Sequence, residues 1–238
     1  MDRRSFIKSC STIAVVSAIE PTFFSKLLAQ ENSYLTQFKK ALLIKENGEP
    51  IKEKDLQPFK QYIFFYPYKS TPCYIINLDT EIKPVKVKLS DGGSYKWNGG
   101  VGSKKSIVAY SAICSHQWMY PTKDFSMLNY YPPTEKSQTT EKSNIIQCCA
   151  HMSVFDPQKG CEVLEGPAPY PLASIVLTVE DDKIYANAVL GRHQFEEFFD
   201  LYKSDLIQHY GSINAAKELV EKATVMEVGS YVKEQIKC

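Results

Sequence analysis

Four side chains set the tightest limit on what this chain can become. They lie in Cys114-Ser115-His116 and in Cys148-Cys149-Ala150-His151. The first is a C-x-H pair; the second, counted from Cys148, is a C-x-x-H pair. The 238-residue sequence has only 4 histidines and 7 cysteines, so these pairs stand out from the rest of the chain. Each pair follows a β-rich run and can therefore sit on a loop at a strand end. Two thiolates and two imidazoles make a four-donor set, which suits a [2Fe–2S] cluster or a zinc ion. Zinc sites favour C-x-x-C or H-x₃₋₅-H spacing, and neither occurs here. A zinc-binding interaction module without redox chemistry is the alternative reading.

The surrounding pattern is mostly β. Tyr62–Tyr66, Cys73–Ile76, Val85–Leu89 and Ser106–Tyr110 are short runs rich in β-branched and aromatic residues. Val85–Leu89 alternates strictly, as a half-buried strand does. Asp91-Gly92-Gly93 and Asn98-Gly99-Gly100 punctuate as turns. Further strands are expected at Asn144–Gln147, Ser174–Val179 and Lys183–Val189, and short strands with turns between them indicate a sandwich or barrel. Residues 30–60 are polar and read as a linker with one short helix. Beyond 190 the spacing of Phe195, Phe198, Phe199, Tyr202 and Leu206 is helical, with Gly211 as a stop. Ser212 is placed to cap a second helix through Ala216, Leu219 and Val220. The division expected is 1–29 signal, 30–60 linker, 61–190 domain and 191–238 helical tail, the tail packing on its own sheet.

Composition excludes several classes. With 44% hydrophobic and 23% charged residues the chain is an ordinary globular one. Its 28 Lys+Arg balance 27 Asp+Glu, which removes the basic footprint of a nucleic-acid binder. Neither G-x-G-x-x-G nor a P-loop is present. No stretch of about 20 uninterrupted apolar residues offers a membrane span. The opening Asp2-Arg3-Arg4-Ser5-Phe6-Ile7-Lys8 resembles a bacterial twin-arginine export signal, followed by a short apolar stretch from Ser11 to Ile19. Ala18 and Ala29 are both candidate cleavage points, and an uncleaved anchor stays open. The expected location is the periplasm or the outer face of the inner membrane, with peripheral or weak membrane association.

At the two Cys/His pairs the sequence resembles the Rieske iron–sulfur proteins, which hold one [2Fe–2S] cluster on a C-x-H loop and a C-x-x-H loop. The resemblance covers about 61–190. It implies a Rieske-type antiparallel β-sandwich with a cluster-binding subdomain. It also implies that Cys114 and Cys148 bind the buried iron and that His116 and His151 bind the outer one. Ser153, two residues after the second histidine, matches a serine that donates to a cluster sulfur, and Asp156 fits the pattern beyond it. Gly166-Pro167-Ala168-Pro169 is similar to the proline loop that covers the cluster in the high-potential branch, the branch of quinol–cytochrome c reductases and arsenite oxidase small subunits.

This chain also departs from that pattern. The positions of the loop-to-loop disulfide in respiratory members hold Met119 and Ala150, so that bridge is not expected. Phe155 replaces a tyrosine that donates to a cysteine sulfur. Gln117-Trp118 and Met152 stand where the family has small residues, and 31 residues separate His116 from Cys148, more than the family's usual gap. Cys149 reads as a small loop residue, and Cys73, Cys161 and Cys238 as core or surface thiols. Export permits a disulfide such as Cys149–Cys161, but sequence alone does not pair them. His193 and His209 carry no assigned role.

Neutral imidazoles in place of thiolates raise the reduction potential, to about −150 to +300 mV for such centres. A Ser153 hydrogen bond raises it further, whereas Phe155 adds none, so the expected potential lies below the upper end. The expected function is one-electron transfer as the iron–sulfur subunit of an exported oxidoreductase complex that oxidises a quinol or a small substrate. Its partners are a redox subunit and an acceptor such as a c-type cytochrome, and the chain is not catalytic alone. A Rieske oxygenase needs a second iron site, and a 48-residue tail with two histidines is too little protein for one.

Overall fold

The computed structural model describes residues 34–238. The export-signal reading of 1–29 lies outside the described residues. The strands, in chain order, are β1 (Leu35–Ile44), β2 (Gln61–Phe65), β3 (Pro72–Asn77), β4 (Val85–Lys88), β5 (Ser94–Trp97), β6 (Ile107–Ser111), β7 (Phe125–Ser126) and β8 (Leu128–Tyr131). They continue with β9 (Ile145–Cys148), β10 (Ser153–Asp156), β11 (Glu162–Glu165), β12 (Ser174–Glu180), β13 (Lys183–Leu190), β14 (Lys222–Thr224), β15 (Met226–Glu227) and β16 (Glu234–Gln235). Short helices α1 (Phe195–Leu201), α2 (Lys203–Tyr210), α3 (Ile213–Ala216) and α4 (Val228–Tyr231) fall in the last fifty residues.

Among the described residues, an eight-stranded sheet runs in the order β14-β1-β13-β12-β6-β3-β2-β15, and a four-stranded sheet in the order β11-β10-β9-β8. Strand alternation explains how they stack. In β3, Cys73 and Ile75 face one core while Tyr74 and Ile76 face the other; in β6, Ile107 and Ala109 oppose Val108 and Tyr110 in the same way. All five residues of β6 are buried, as a strand covered on both faces requires. The first core joins the sheet to Phe195, Phe198, Phe199 and Leu206 of the tail helices. The second joins it to Leu128, Tyr130, Ile146 and Phe155 of the smaller sheet. The result is mostly β, a sandwich with short helices on its outer face, and no described helix is long and apolar enough to cross a membrane.

Two expectations about the ends of the chain need correction. The stretch read as a linker contains β1, which pairs with β13 and β14 inside the large sheet and buries Ala41 and Leu43 completely. A register shift between Gln37 and Ala41 breaks its alternation and puts Lys39 and Lys40 outward, so the polar pair hides a strand. The short helix expected there is a 3₁₀ turn at Glu53–Asp55. The tail is not only helical. Gly211 ends α2 at φ +83°, and Ser212 accepts from the Ala215 N–H to cap α3, but α3 stops at Ala216. Leu219 instead forms a bridge with Tyr68, and β14, β15 and β16 then join three different strand partners.

Candidate metal centre

The first ligand loop leaves the end of β6 and closes on itself. The Cys114 N–H donates to the Met119 carbonyl at 2.9 Å, and the Trp118 N–H donates back to the Cys114 carbonyl at 2.9 Å. The second is the hairpin between β9 and β10, in which Cys148 and Ser153 are cross-strand partners. Only residues 149–152 lie between them. Both loops contain a bulky residue in left-handed backbone, Trp118 at φ +53° and Met152 at φ +60°. This backbone is costly for a bulky side chain, whereas glycine adopts it freely.

The loops bring Cys114 to Cys148 and His116 to His151. Cys114 and Cys148 are both buried, and as free thiols they hydrogen-bond one another. That bond, with burial added, pushes the Cys114 thiol far above its ordinary range. The Cys148 thiol is pulled below its ordinary range by Cys114, against the opposing effect of burial, with the N–H groups of Ala150 and His151 helping. The N–H groups of His116 and Gln117 point likewise at the Cys114 sulfur. Inward amides of this kind stabilise anionic sulfur, the form in which cysteine binds metal. The His116 and His151 rings stand 4.7 Å apart, edge to face. His151 is exposed, while His116 Nδ1 is buried without a hydrogen-bond partner. A buried ring nitrogen without a partner is free to serve as a ligand in a site of this donor set.

Among the described residues, no three His, Cys, Asp or Glu side chains gather about a single metal-ion position. By donor type, two thiolates and two imidazoles suit a [2Fe–2S] cluster.

A third loop braces both. Gly166 sits at φ +88°, and a Cβ there would lie 2.5 Å from the Met152 carbonyl oxygen and 2.6 Å from Ser153 Cα. Only glycine allows this approach. The Ala168 N–H donates to Ser153 Oγ at 3.1 Å, so the completely buried Ser153 hydroxyl keeps its own hydrogen to donate. The Ser115 hydroxyl donates to the Tyr170 carbonyl and ties the first loop to the same brace. Sequence reading singled out Ser153 and the proline loop but missed Ser115, whose only signal was its place inside C-x-H. Phe155 is fully buried and Asp156 closes the turn after β10, accepting from the Gln158 N–H.

The remaining cysteines divide differently from expectation. Cys73 and Cys161 are buried free thiols, each pushed up by burial. Cys149 is bonded to Cys238 across 89 residues, so Cys238 is not a free thiol and Cys149 does not pair with Cys161. His193 stacks on Phe195 and contacts Thr36 through Nε2, a packing role.

Comparison with known proteins identifies the family. The Rieske [2Fe–2S] domain family matches residues 73–192, a span that encloses both ligand loops and the proline loop. The chain is similar to iodate reductase subunit IdrB of Denitromonas iodatirespirans, 24% identical over 191 residues covering 80% of this chain and 82% of the relative. It is similar to IdrB of Pseudomonas sp. (strain SCT) at 26% over 193 residues, covering 80% of each. Among solved structures, the soluble domain of the Rieske protein II (soxF) from Sulfolobus acidocaldarius matches at 21% identity and a TM-score of 0.45, over 63% of this chain and 77% of that one. This chain therefore belongs to the Rieske [2Fe–2S] domain family, whose domain binds one [2Fe–2S] cluster.

Proposed function

We propose that the chain is the electron-transfer subunit of an exported oxidoreductase complex. In this reading Cys114 and Cys148 hold the buried iron, His116 and His151 hold the outer iron, and Ser153 donates to a cluster sulfur. What supports it is a buried, amide-supported sulfur pair and a pair of adjacent rings, one of them exposed, on the same two loops. Bound there, the cluster takes up and releases one electron at a time. The protein's part is to keep the sulfurs dry and hydrogen-bonded, and to present His151 at the surface where a partner can approach.

The named relatives are subunits of iodate reductases, which supports a catalytic partner subunit for this chain too. A c-type cytochrome or a quinol at the other end of the electron path, the twin-arginine route and the periplasmic location are parts of the same proposal. They are supported by Arg3-Arg4 and by the exposure of His151.

The test uses the full chain purified under anaerobic conditions. The expected protein is reddish-brown, contains two irons per chain, and gives a rhombic paramagnetic signal on reduction. His116→Ala and His151→Ala should each abolish the signal. A colourless protein containing zinc would establish the interaction-module reading instead. For the export claim, Arg3→Lys with Arg4→Lys should leave the protein in the cytoplasm; unchanged export would refute it.

A further inference from the structure

Residues 232–238 form a strap along the segment between the two ligand loops. The Lys233 N–H donates to the Lys123 carbonyl, Glu234 N–H to Asp124, and Ile236 N–H to Ser126, with β16 lying parallel to β7. The Asn129 side-chain amide donates to the Ile236 carbonyl at 2.8 Å, and Lys237 pairs with Glu135. The strap then ends in a fully engaged residue. The Cys238 N–H donates to the Tyr131 hydroxyl at 2.7 Å. Its carbonyl accepts from Tyr131, from buried Ser137 Oγ and from the Gln138 N–H. Its sulfur is bonded to Cys149.

Cys149 is the first of the four residues between β9 and β10, directly after Cys148 and two before His151. Its own N–H donates to the Met127 carbonyl at 2.8 Å. The same short hairpin contains Met152 in left-handed backbone, a conformation that costs a non-glycine residue free energy and persists only where its surroundings hold it. A strained four-residue turn that follows Cys148 and contains His151 is thus covalently tied to a strap hydrogen-bonded to the rest of the protein.

We propose that the strap, through the Cys149–Cys238 disulfide and Tyr131, is a positioning device for the second ligand loop, fixing Cys148 and His151 relative to the first loop. This rests on the reading of those two residues as cluster ligands. Tyr131 and Cys238 touch no ligand atom; they act through Cys149. The segment between the ligand loops has a role on this account, since β7, Tyr131 and Ser137 are the surface to which the strap is bound.

The experiment uses the cluster-loaded full chain. Wild type, Cys238→Ser, Cys149→Ser, the double variant and Tyr131→Phe are compared in the rate of iron loss to an excess chelator and in the line shape of the reduced-state spin signal. Peptide mass spectrometry without reductant checks the 149–238 link. Each single cysteine variant is expected to bind the cluster and then release iron about tenfold faster or more, the usual cost of losing outer support at a metal site. The double variant should be no worse than either single, because all three lack the same bond. Tyr131→Phe, which keeps the disulfide and so guards against misfolding of the others, should fall between. Leu43→Ala, a core cavity on the opposite face, should lower the melting temperature without changing release rate or line shape. Release rates within twofold of wild type and an unchanged line shape in all strap variants would overturn the proposal while leaving the cluster assignment intact. A wild-type protein without an iron–sulfur spectrum would overturn the assignment itself, and the proposal with it.

Discussion

Replacing Ser153 by alanine separates an observed bond from a proposed one. Its oxygen accepts the Ala168 N–H, and in the proposed reading its hydrogen is donated to a cluster sulfur. Hydrogen bonds to charged groups contribute about 1.5–3 kcal/mol and those to neutral groups about 0.5–1.5. Reduction adds one negative charge to the cluster, so the bond strengthens by roughly 1–1.5 kcal/mol between the two redox states. For a one-electron couple, where a tenfold change in equilibrium is about 59 mV, this corresponds to a potential lower by roughly 40–65 mV in the alanine variant. The second loss is independent of redox state. The Ala168 N–H is left in a buried place without its acceptor, which costs about 1–3 kcal/mol of stability. Potentiometric titration of the spin signal reads the first effect and thermal unfolding of the same sample reads the second. A potential within roughly 10 mV of wild type, with stability reduced, would show that the hydroxyl serves only the proline loop and would remove this account of tuning.

Gly166→Ala should destabilise the protein by roughly 2 kcal/mol or more, since the new methyl group meets the backbone of Met152 and Ser153 in a left-handed conformation; a melting temperature equal to wild type would refute the close approach. Met152→Gly is expected to be neutral or stabilising by up to about 1 kcal/mol, because relief at φ +60° offsets the backbone entropy of glycine, whereas glycine at an ordinary loop position costs stability. Chemical denaturation of the loaded protein decides this, and a clear loss would refute it. His193 is half-buried, and burial holds its pKa below the ordinary 6.5 against the opposing pull of Glu197 and Glu196. The unfolded chain therefore takes up the proton first, so His193 costs no stability above pH 6.5 and destabilises progressively as pH falls from there toward its folded pKa. His193→Gln should flatten the stability–pH curve in that window; an unchanged slope between pH 7 and 5 would sink the idea.

The strands that sequence reveals are those whose pattern is decided locally. β2, β3 and β6 are nearly continuous runs of β-branched and aromatic residues because the sheet is covered on both faces there, while β12 and β13 show the alternation of strands with one face more exposed, and neither pattern needs a partner to be recognised. β1 escapes because its bulge shifts the alternation, and β8 because four buried residues, Leu128 to Tyr131, sit inside a long polar segment. The second tail helix is overextended in the sequence reading because Leu219 continues a helical period that the Tyr68 bridge interrupts. The ligand loops are legible from residue type and spacing alone. What sets their geometry is not, since Cys149 and Cys238 are 89 residues apart and no spacing rule selects that pair from the seven cysteines.

The three loops are not held in equivalent ways, and the difference has a consequence for how the centre responds to change. The first loop is closed by its own backbone and tied outward through Ser115 to Tyr170. The second is closed by β9 and β10, leans on Gly166 and Ala168, and is anchored to the strap by Cys149. Met119 and Ala150 provide no covalent link between the two. Among the described residues, the brace from Gly166 to Tyr170 bonds or packs on both loops, while the strap is bonded to the second through Cys149. A change in the brace should disturb all four donors together. A change in the strap should move Cys148 and His151 against a first loop that stays where it was. Spectroscopy that resolves His116 and His151 in the loaded protein separates these patterns, with both signals shifting in Gly166→Ala and one shifting in Cys238→Ser.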